Sequence, residues 1–279
     1  MSWALQLARF LPDQMVDAVL RTRLRNHALR PVFDWCARRM KHQDGVIQRG
    51  VGAGLRFNPG NSVVSYLLGT AEEPLQRILQ LWLRPGMTVY DVGANVGFLT
   101  VIAAALVGDQ GRVYAFEPVP ELADEAEHNA TLNYFRQVTV CRSALSHSDG
   151  QAVFQLSDDV TQGKLVTNTE RPNARQLVVQ TQKLDSVVQK DRLSQPDLIK
   201  IDVEGAEADV LDGGAQTLRE IRPNLLIELH STNNQVAERL EAFGYVGRVL
   251  GSHSSVRKAP AHATVAAVPK ERVGMLEMC

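Results

Sequence analysis

The sequence of 279 residues has little cysteine and no long apolar run. These two features argue against a disulfide-rich protein and against a membrane-spanning protein. Its three cysteines, Cys36, Cys141 and Cys279, lie far apart without metal-ligand spacing, which argues against a disulfide scaffold or a cysteine zinc site and favours a reducing compartment. The most apolar segment, Phe98 to Val107, is far shorter than the roughly 20 residues that a membrane-spanning helix needs. No charged leader precedes an apolar core near residue 1. We therefore expect no signal peptide, no transmembrane segment and a cytoplasmic location.

The sequence also lacks a strong net charge, since its formal charge is −1 at pH 7. This balance gives no support to bulk nucleic-acid binding, and we expect no nucleic-acid partner. One asymmetry remains, because residues 1–50 carry nine Lys/Arg against four Asp/Glu. Such a segment can be a basic arm that contacts a membrane surface, or a helical cap whose charged faces are solvated. The second interpretation is the simpler one.

A strand, a glycine turn and a buried helix are predicted over Thr88 to Val107. The β-branched and aromatic run at its start is followed by the pattern Asp-x-Gly-x-Asn-x-Gly over residues 91–97, and then by an apolar run. Glycines in such a turn allow positive φ angles and a close approach to a ligand, which then meets the positive end of the helix. Asn95 stands where dinucleotide-binding turns have glycine, leaving less room for a pyrophosphate. Asp91 is placed to accept a hydrogen bond from a ligand ammonium group.

A second strand ends in Glu117-Pro118, about 20 residues beyond these glycines, which is the spacing expected of a carboxylate that holds ribose hydroxyls. A ligand with an amino group and a ribose but no pyrophosphate fits S-adenosylmethionine better than NAD. The third strand, Val138 to Cys141, is followed by Ser143-Ala144. Because ligands bind at the carboxyl edge of an open parallel sheet, we expect this turn to line the adenine pocket.

A second strand-to-helix corner is predicted at Leu198 to Gly205, where an apolar strand ends at Asp202. The following helix is predicted over Gly205 to Arg219. The next strand, Asn224 to Leu229, leads to His230. Since the carboxyl ends of parallel strands meet at one edge, these polar residues should share a crevice with the first corner.

At these residues the chain resembles the FkbM family of S-adenosylmethionine-dependent methyltransferases. The matching motifs, in order, are Val89–Gly97, Val113–Pro118, Ser143–Ser146 and Leu198–Glu207, and the resemblance extends from about Gly69 to about Pro269. The family pattern also carries a Gly-Thr-x-Glu element, matched by residues 69–72, although Glu73 leaves its register ambiguous. Several separate motifs agree in order, so the resemblance is specific.

The resemblance implies a class I methyltransferase fold, which is a Rossmann-like, doubly wound α/β domain with a mostly parallel seven-stranded sheet. It implies O-methylation of a hydroxyl of a small metabolite, saccharide or polyketide. We expect a helical cap or extension over 1–50, a lead-in segment over 51–87 that packs on the core, and the methyltransferase domain over 88–270. The expected cofactor-binding residues are Asp91, Gly93, Ala94, Asn95, Gly97, Glu117, Pro118, Ser143, Ala144 and Asp202.

Four residues of the second corner are candidates for the catalytic side. His230 is the natural base for an acceptor hydroxyl because its unperturbed pKa is near neutrality. Asp202 could hold the methionine ammonium group or orient the acceptor, and Glu204 could do the same or serve only as a helix-start carboxylate. Lys200 alternates onto the face of Asp202, which predicts an internal ion pair, and it remains a further catalytic candidate. The histidines show no metal-ligand spacing, so we expect no metal.

Two other functions stay open at this point. A nicotinamide-dependent oxidoreductase on a similar fold is disfavoured by Asn95 and by the absence of a Tyr-x-x-x-Lys pair. A non-catalytic scaffold that keeps the cofactor pocket is disfavoured by the intact Asp91, Glu117 and Asp202. The sequence leaves the acceptor and the oligomeric state undetermined.

The sequence also predicts a short strand over Val63 to Leu68 and a polar insert over Ser157 to Arg175. The insert is either a mobile substrate loop or a plain excursion.

Overall fold

The computed structural model describes residues 42–61, 65–156, 163–166, 176–190, 193–252 and 254–278. The helical cap expected over 1–50 falls on residues 1–41 almost entirely, and these lie outside the described residues. The division of the chain into cap, lead-in segment and methyltransferase domain therefore stays a prediction.

The described residues form thirteen strands and eight α-helices. The strands are β1 (Gly45–Val46), β2 (Arg56–Phe57), β3 (Thr88–Val92), β4 (Arg112–Phe116), β5 (Val138–Cys141), β6 (Ala144–Leu145), β7 (Gly150–Leu156), β8 (Gly163–Val166), β9 (Gln176–Gln182), β10 (Leu198–Ile201), β11 (Asn224–Glu228), β12 (Tyr245–Val249) and β13 (Thr264–Pro269). The helices are α1 (Ser65–Leu68), α2 (Glu73–Trp82), α3 (Phe98–Val107), α4 (Pro120–Leu132), α5 (Leu184–Gln189), α6 (Glu207–Gly213), α7 (Ala215–Glu220) and α8 (Asn233–Ala242), with 3₁₀ helices at Val256–Lys258 and Lys270–Met278.

The main sheet has seven strands in the order β12-β13-β11-β10-β3-β4-β5. The five strands from β11 to β5 are parallel, and β13 runs antiparallel to both β11 and β12. This order confirms the predicted doubly wound, mostly parallel sheet. The direction of winding reverses between β3 and β10, and ligands bind in the crevice outside the strand ends at such a switch point.

Burial on both faces explains why the central strands read as apolar runs. All residues of β3 and β10 are buried, and eight of the ten residues of α3 are buried as well. Parallel strands covered by helices on both sides need such continuous apolar sequence. The register places Lys200 beside Asp91 and Val92 beside Phe116, so the polar strand ends meet at one edge.

The described residues shortly before β3 pack on this core. Strands β1 and β2 form an antiparallel pair, and Phe57 contacts Phe98 of α3 at 5.5 Å between ring centroids. The strand predicted over Val63 to Leu68 is wrong, because residues 65–68 form a helical turn. Gly69 ends this turn with φ +78°, a left-handed conformation that stops helices and that glycine adopts without strain.

Two further differences concern the elements around the second corner. The helix predicted over Gly205 to Arg219 is two short helices, α6 and α7, separated at Gly214. A Cβ on Gly213 would lie 2.0 Å from the carbonyl oxygen of Ser146, and one on Gly214 would lie 2.5 Å from Leu184, so close packing selects glycine here. The insert contributes to a second sheet of order β6-β9-β7-β8, although most of its residues lie outside the described ranges.

Candidate active site

The glycine turn after β3 brings two strand ends into contact. Gly93, Asn95 and Gly97 have φ angles of +76°, +53° and +79°, and asparagine is among the few non-glycine residues that tolerate this region. The backbone N–H groups of Gly93 and Ala94 both donate to the carbonyl of Phe116, at 3.0 and 3.1 Å. A Cβ on Gly93 would lie 1.8 Å from the carbonyl oxygen of Asp202. Only glycine therefore permits this approach of β3 to the end of β10.

Glu117 is held at the tip of β4 by the same turn. Its Oε2 accepts from the backbone N–H of Asn95 at 2.8 Å, and its Oε1 accepts from that of Val119 at 3.0 Å. The residue is 5% exposed, and burial raises the pKa of its carboxyl to about 7 although the two hydrogen bonds act in the opposite direction. Each oxygen keeps a second lone pair. The group can therefore accept hydrogen bonds from two adjacent hydroxyls, as a ribose presents.

Lys200 lies between the two corners and connects them. Its Nζ lies 3.2 Å from Asp91 Oδ1 and 3.8 Å from Asp202 Oδ2, and it donates to the carbonyl of Gly93 at 2.7 Å. Asp91 also accepts a hydrogen bond from the hydroxyl of Thr100 at 2.6 Å. Burial alone would lower the pKa of Lys200, but the carboxylates of Asp91 and Asp202 outweigh it and raise that pKa. The predicted ion pair is present, with Asp91 as the nearer partner.

Asp202, Glu204 and His230 form a cluster at the end of β10 and β11. The imidazole Nε2 lies 3.4 Å from Glu204 Oε2 and 3.8 Å from Asp202 Oδ1. The three side chains are 28%, 35% and 11% exposed respectively, so the cluster opens toward solvent on the carboxylate side. One ligand atom from each residue lies within 4.8 Å of the other two. The structure thus brings together three of the four predicted catalytic candidates. The fourth, Lys200, lies on the buried side of Asp202, with its Nζ 3.8 Å from Asp202 Oδ2.

Glu207 fixes His230, and sequence reasoning gave it no role. This carboxylate is fully buried and accepts from His230 Nδ1 at 2.9 Å, from the Thr232 hydroxyl at 2.6 Å and from the Gly205 N–H at 2.9 Å. Burial alone would raise the pKa of Glu207, but the hydrogen bonds from His230 and Thr232 outweigh it and lower that pKa. Burial alone would lower the pKa of His230, but Glu207 and Glu204 raise it to about 9. Glu207 was visible only as the last acid of the matched motif.

Glu72 also faces the site, which resolves the ambiguity with Glu73. Glu72 adopts φ +52° at the start of α2 and accepts from the Tyr66 hydroxyl at 3.5 Å, whereas Glu73 is exposed and pairs with Arg77. Burial raises the pKa of Glu72 to about 7 although Lys200 acts in the opposite direction. The remaining predicted residues follow β4 and β5: Pro118 is half-buried, and Ser143 is buried and donates to Gln182 at 2.7 Å.

The fold and the site together define a class I, Rossmann-like methyltransferase fold, with a glycine turn and acidic strand ends at the switch point of the sheet. The profile of the Methyltransferase FkbM domain matches residues 91–254, which is more than half of the chain. The chain belongs to this FkbM family of S-adenosylmethionine-dependent methyltransferases, and the resemblance of its motifs is confirmed.

Similar proteins include two curated methyltransferases. The hexuronic acid methyltransferase AglP of Haloferax volcanii is 28% identical over 160 residues, covering 57% of this chain and 63% of that protein. The 2-O-methyltransferase NoeI of Sinorhizobium fredii is 26% identical over 166 residues, covering 53% and 65%. The chain thus spans less than two thirds of either relative. A crystal structure of methyltransferase FkbM from Methylobacillus flagellatus aligns over 73% of this chain and 52% of that one, with 16% identity and a TM-score of 0.47.

The described helices include none with the length and hydropathy that crossing a bilayer would require.

Proposed function

We propose that this protein transfers a methyl group from S-adenosylmethionine to a hydroxyl oxygen of a small metabolite, saccharide or polyketide, with a saccharide as the leading acceptor class. The observation that carries the proposal is the contact of two acidic corners at the switch point, where Gly93 lies against Asp202. One corner offers ribose acceptors, and the other offers groups that can orient a hydroxyl. The saccharide preference rests on the name of the hexuronic acid methyltransferase relative, and the choice of oxygen agrees with the name of the 2-O-methyltransferase relative.

The cofactor side fits an adenosyl group joined to an amino acid. Glu117 is a buried carboxylate with free lone pairs at the strand end, so it would hold the ribose hydroxyls. The turn over 93–97 would carry the adjoining part of the cofactor, and Ser143 and Ala144 would lie by the adenine. The predicted contact of Asp91 with the ammonium group stays a proposal, since its carboxylate already meets Lys200 and Thr100.

The acceptor side would be the cluster of Asp202, Glu204 and His230. S-adenosylmethionine supplies an activated methyl group: the acceptor oxygen bonds to the methyl carbon as the sulfur–carbon bond breaks, and S-adenosylhomocysteine leaves with the electron pair. Fixing the acceptor oxygen about 3 Å from that carbon can supply most of the acceleration. The two carboxylates would orient the hydroxyl by accepting its hydrogen bond. The hydroxyl proton must also leave, and His230 Nε2 could accept it only in the neutral imidazole, whose pKa the surrounding carboxylates raise to about 9.

Calorimetry with S-adenosylmethionine and with NAD, side by side on the full chain, tests the cofactor assignment. We expect saturable binding of S-adenosylmethionine and none of NAD, and a Glu117→Ala variant should lose most of that affinity. Binding of NAD alone would overturn the proposal in favour of the oxidoreductase.

Transfer of a labelled methyl group to a panel of hydroxylated saccharides, polyketides and lipids tests the reaction. Label in a saccharide fraction, lost when the acceptor hydroxyl is removed, is the expected result. Cofactor binding without transfer to any acceptor of the panel would favour the scaffold function. The small-molecule or glycan partner and the cytoplasmic location stay proposals.

A further inference from the structure

The crevice edge around His230 carries an excess of carboxylates. Besides Asp202 and Glu204, the buried Glu207 touches the imidazole, and Glu228 at the end of β11 interacts electrostatically with the same group of acids. Lys200, the lysine that lies between the two corners, is closer to Asp91 than to Asp202, at 3.2 against 3.8 Å. A positive charge placed in the cluster would therefore be strongly favoured.

The geometry of the imidazole sharpens this point. Nδ1 is the donor to the buried Glu207 carboxylate, so in the neutral ring the Nε2 lone pair points at Glu204 Oε2 and Asp202 Oδ1, 3.4 and 3.8 Å away. A lone pair that faces two carboxylate oxygens is repelled unless a proton or a metal cation lies between them. A histidine whose other nitrogen donates to a buried carboxylate is the usual arrangement of a metal ligand, because the carboxylate fixes the ring and its tautomer.

We propose that Asp202, Glu204 and His230 bind a divalent cation such as Mn²⁺ through one carboxylate oxygen each and Nε2. The separations of 3.4 and 3.8 Å between these atoms suit neighbouring ligands of one ion, whose bonds are roughly 2.0–2.2 Å long. Two carboxylates and one imidazole suit a cation of the Mn²⁺ or Zn²⁺ type. The spacing of the histidines along the chain could not reveal the site, because its ligands come from two different strand ends.

The half-exposed carboxylate side leaves coordination positions open. If the proposed methyl transfer is correct, the acceptor hydroxyl would occupy one of them, and this part of the inference rests on that function. Coordination lowers the pKa of a bound hydroxyl, so its proton would pass to bulk water rather than to Nε2. His230 is then a ligand instead of the base predicted from the sequence.

Titration of the full chain with Mn²⁺, followed by electron paramagnetic resonance of the free ion, tests the site without any acceptor. We expect saturation near one equivalent, and affinity weaker by about tenfold or more in each of Asp202→Asn, Glu204→Gln and His230→Gln. His262→Gln is the matched control: this exposed histidine stacks edge-on against His230 at 5.5 Å but is outside the ligand set, so its loss should leave the affinity unchanged.

Absence of saturable binding, or equal affinity in all variants, would overturn the proposal and leave a proton between the groups. Should a variant fail to fold, pulsed resonance of Mn²⁺ in the unmodified protein decides, because a histidine ligand gives ¹⁴N coupling and its absence contradicts the site. Calorimetry with S-adenosylmethionine on the same samples separates the two proposals. If S-adenosylmethionine binds and Mn²⁺ does not, only the metal site is refuted. If Mn²⁺ binds and S-adenosylmethionine does not, the proposed function is refuted.

Discussion

The two corners of the crevice are built differently. The cofactor corner, over residues 91–97 and Glu117, is closed and held mainly by backbone hydrogen bonds to Phe116 and Glu117. The acceptor corner, formed by Asp202, Glu204 and His230, is open to solvent on its carboxylate side and is held by side chains that converge on Glu207. A backbone-built pocket suits a ligand that never changes. A side-chain-built pocket can be altered residue by residue, so acceptor choice can vary while the cofactor stays the same.

The largest effect is expected when Lys200, the residue that contacts both corners, is replaced. Lys200→Met leaves Asp91 as a buried carboxylate without its cation, and breaking a buried pair from one side costs about 3–5 kcal/mol. We expect that loss in the free energy of unfolding by urea, together with weaker cofactor binding, because Gly93 loses its hydrogen bond.

Two companion variants interpret that result. Adding Asp91→Asn should recover a large part of the loss, since the uncompensated charge is gone. Arg239→Met removes the exposed pair with Asp212 and should cost less than about 1 kcal/mol. A Lys200→Met protein that kept its stability but lost turnover would instead make Lys200 catalytic.

The cofactor corner was predictable from sequence and the acceptor corner only in part. Asp91, the glycines, Asn95 and Glu117 lie within 27 residues, and the glycine turn that they flank leaves a recognisable pattern in the sequence. The contact of Glu207 with His230 joins residues 23 apart through their side chains, which no local pattern encodes.

Local signals also misled in two places. The predicted strand over Val63 to Leu68 followed β-branched residues, but Gly69 closes a helical turn there. The single helix predicted after Gly205 breaks at Gly214, because it packs against Leu184 of a distant helix. In the second case a tertiary contact overrode the local preference.

Gly93→Ala tests whether the corners must touch. The left-handed backbone costs an L-residue roughly 1–2 kcal/mol, and the Cβ would meet the Asp202 carbonyl at 1.8 Å. We expect a total loss of about 2–4 kcal/mol, with strain and overpacking both contributing, and a large fall in affinity for S-adenosylmethionine. Gly86→Ala is the control, because Gly86 has φ +89° and no atom within 4 Å of the added Cβ. Equal losses in the two variants would show that no close contact exists.

Binding of S-adenosylmethionine at the cofactor corner should depend on pH through the carboxyl group of Glu117. Because the pKa of Glu117 in the free protein is raised to about 7, S-adenosylmethionine affinity should fall as the pH drops below 7, by up to about tenfold per unit. The sign follows from the ribose, whose hydroxyls need the ionised carboxylate as acceptor. Calorimetry between pH 7 and 5.5 avoids titration of the cofactor ammonium group.

Two variants assign this pH dependence. Glu117→Gln should bind weakly with no slope over that range. Glu72→Gln is the control with an acid whose pKa is also raised to about 7, and it should keep the slope. If the slope disappeared in Glu72→Gln and persisted in Glu117→Gln, the titrating group would be Glu72, and the assignment of the pH dependence to Glu117 would be wrong.

The variant with the smallest expected effect, Thr232→Val, tests whether the acceptor corner can be altered without changing the cofactor corner. Thr232→Val removes the 2.6 Å hydrogen bond to Glu207, which should cost about 1–2 kcal/mol and loosen His230. Turnover should fall while S-adenosylmethionine affinity stays within about twofold, because Thr232 belongs to the side-chain-built corner alone. Thr217→Val removes a similar bond, 2.7 Å to Asp185, away from the crevice, so it should lose similar stability without losing turnover. If cofactor affinity fell along with turnover in Thr232→Val, the two corners would be one coupled unit, and acceptor choice could not vary independently of the cofactor.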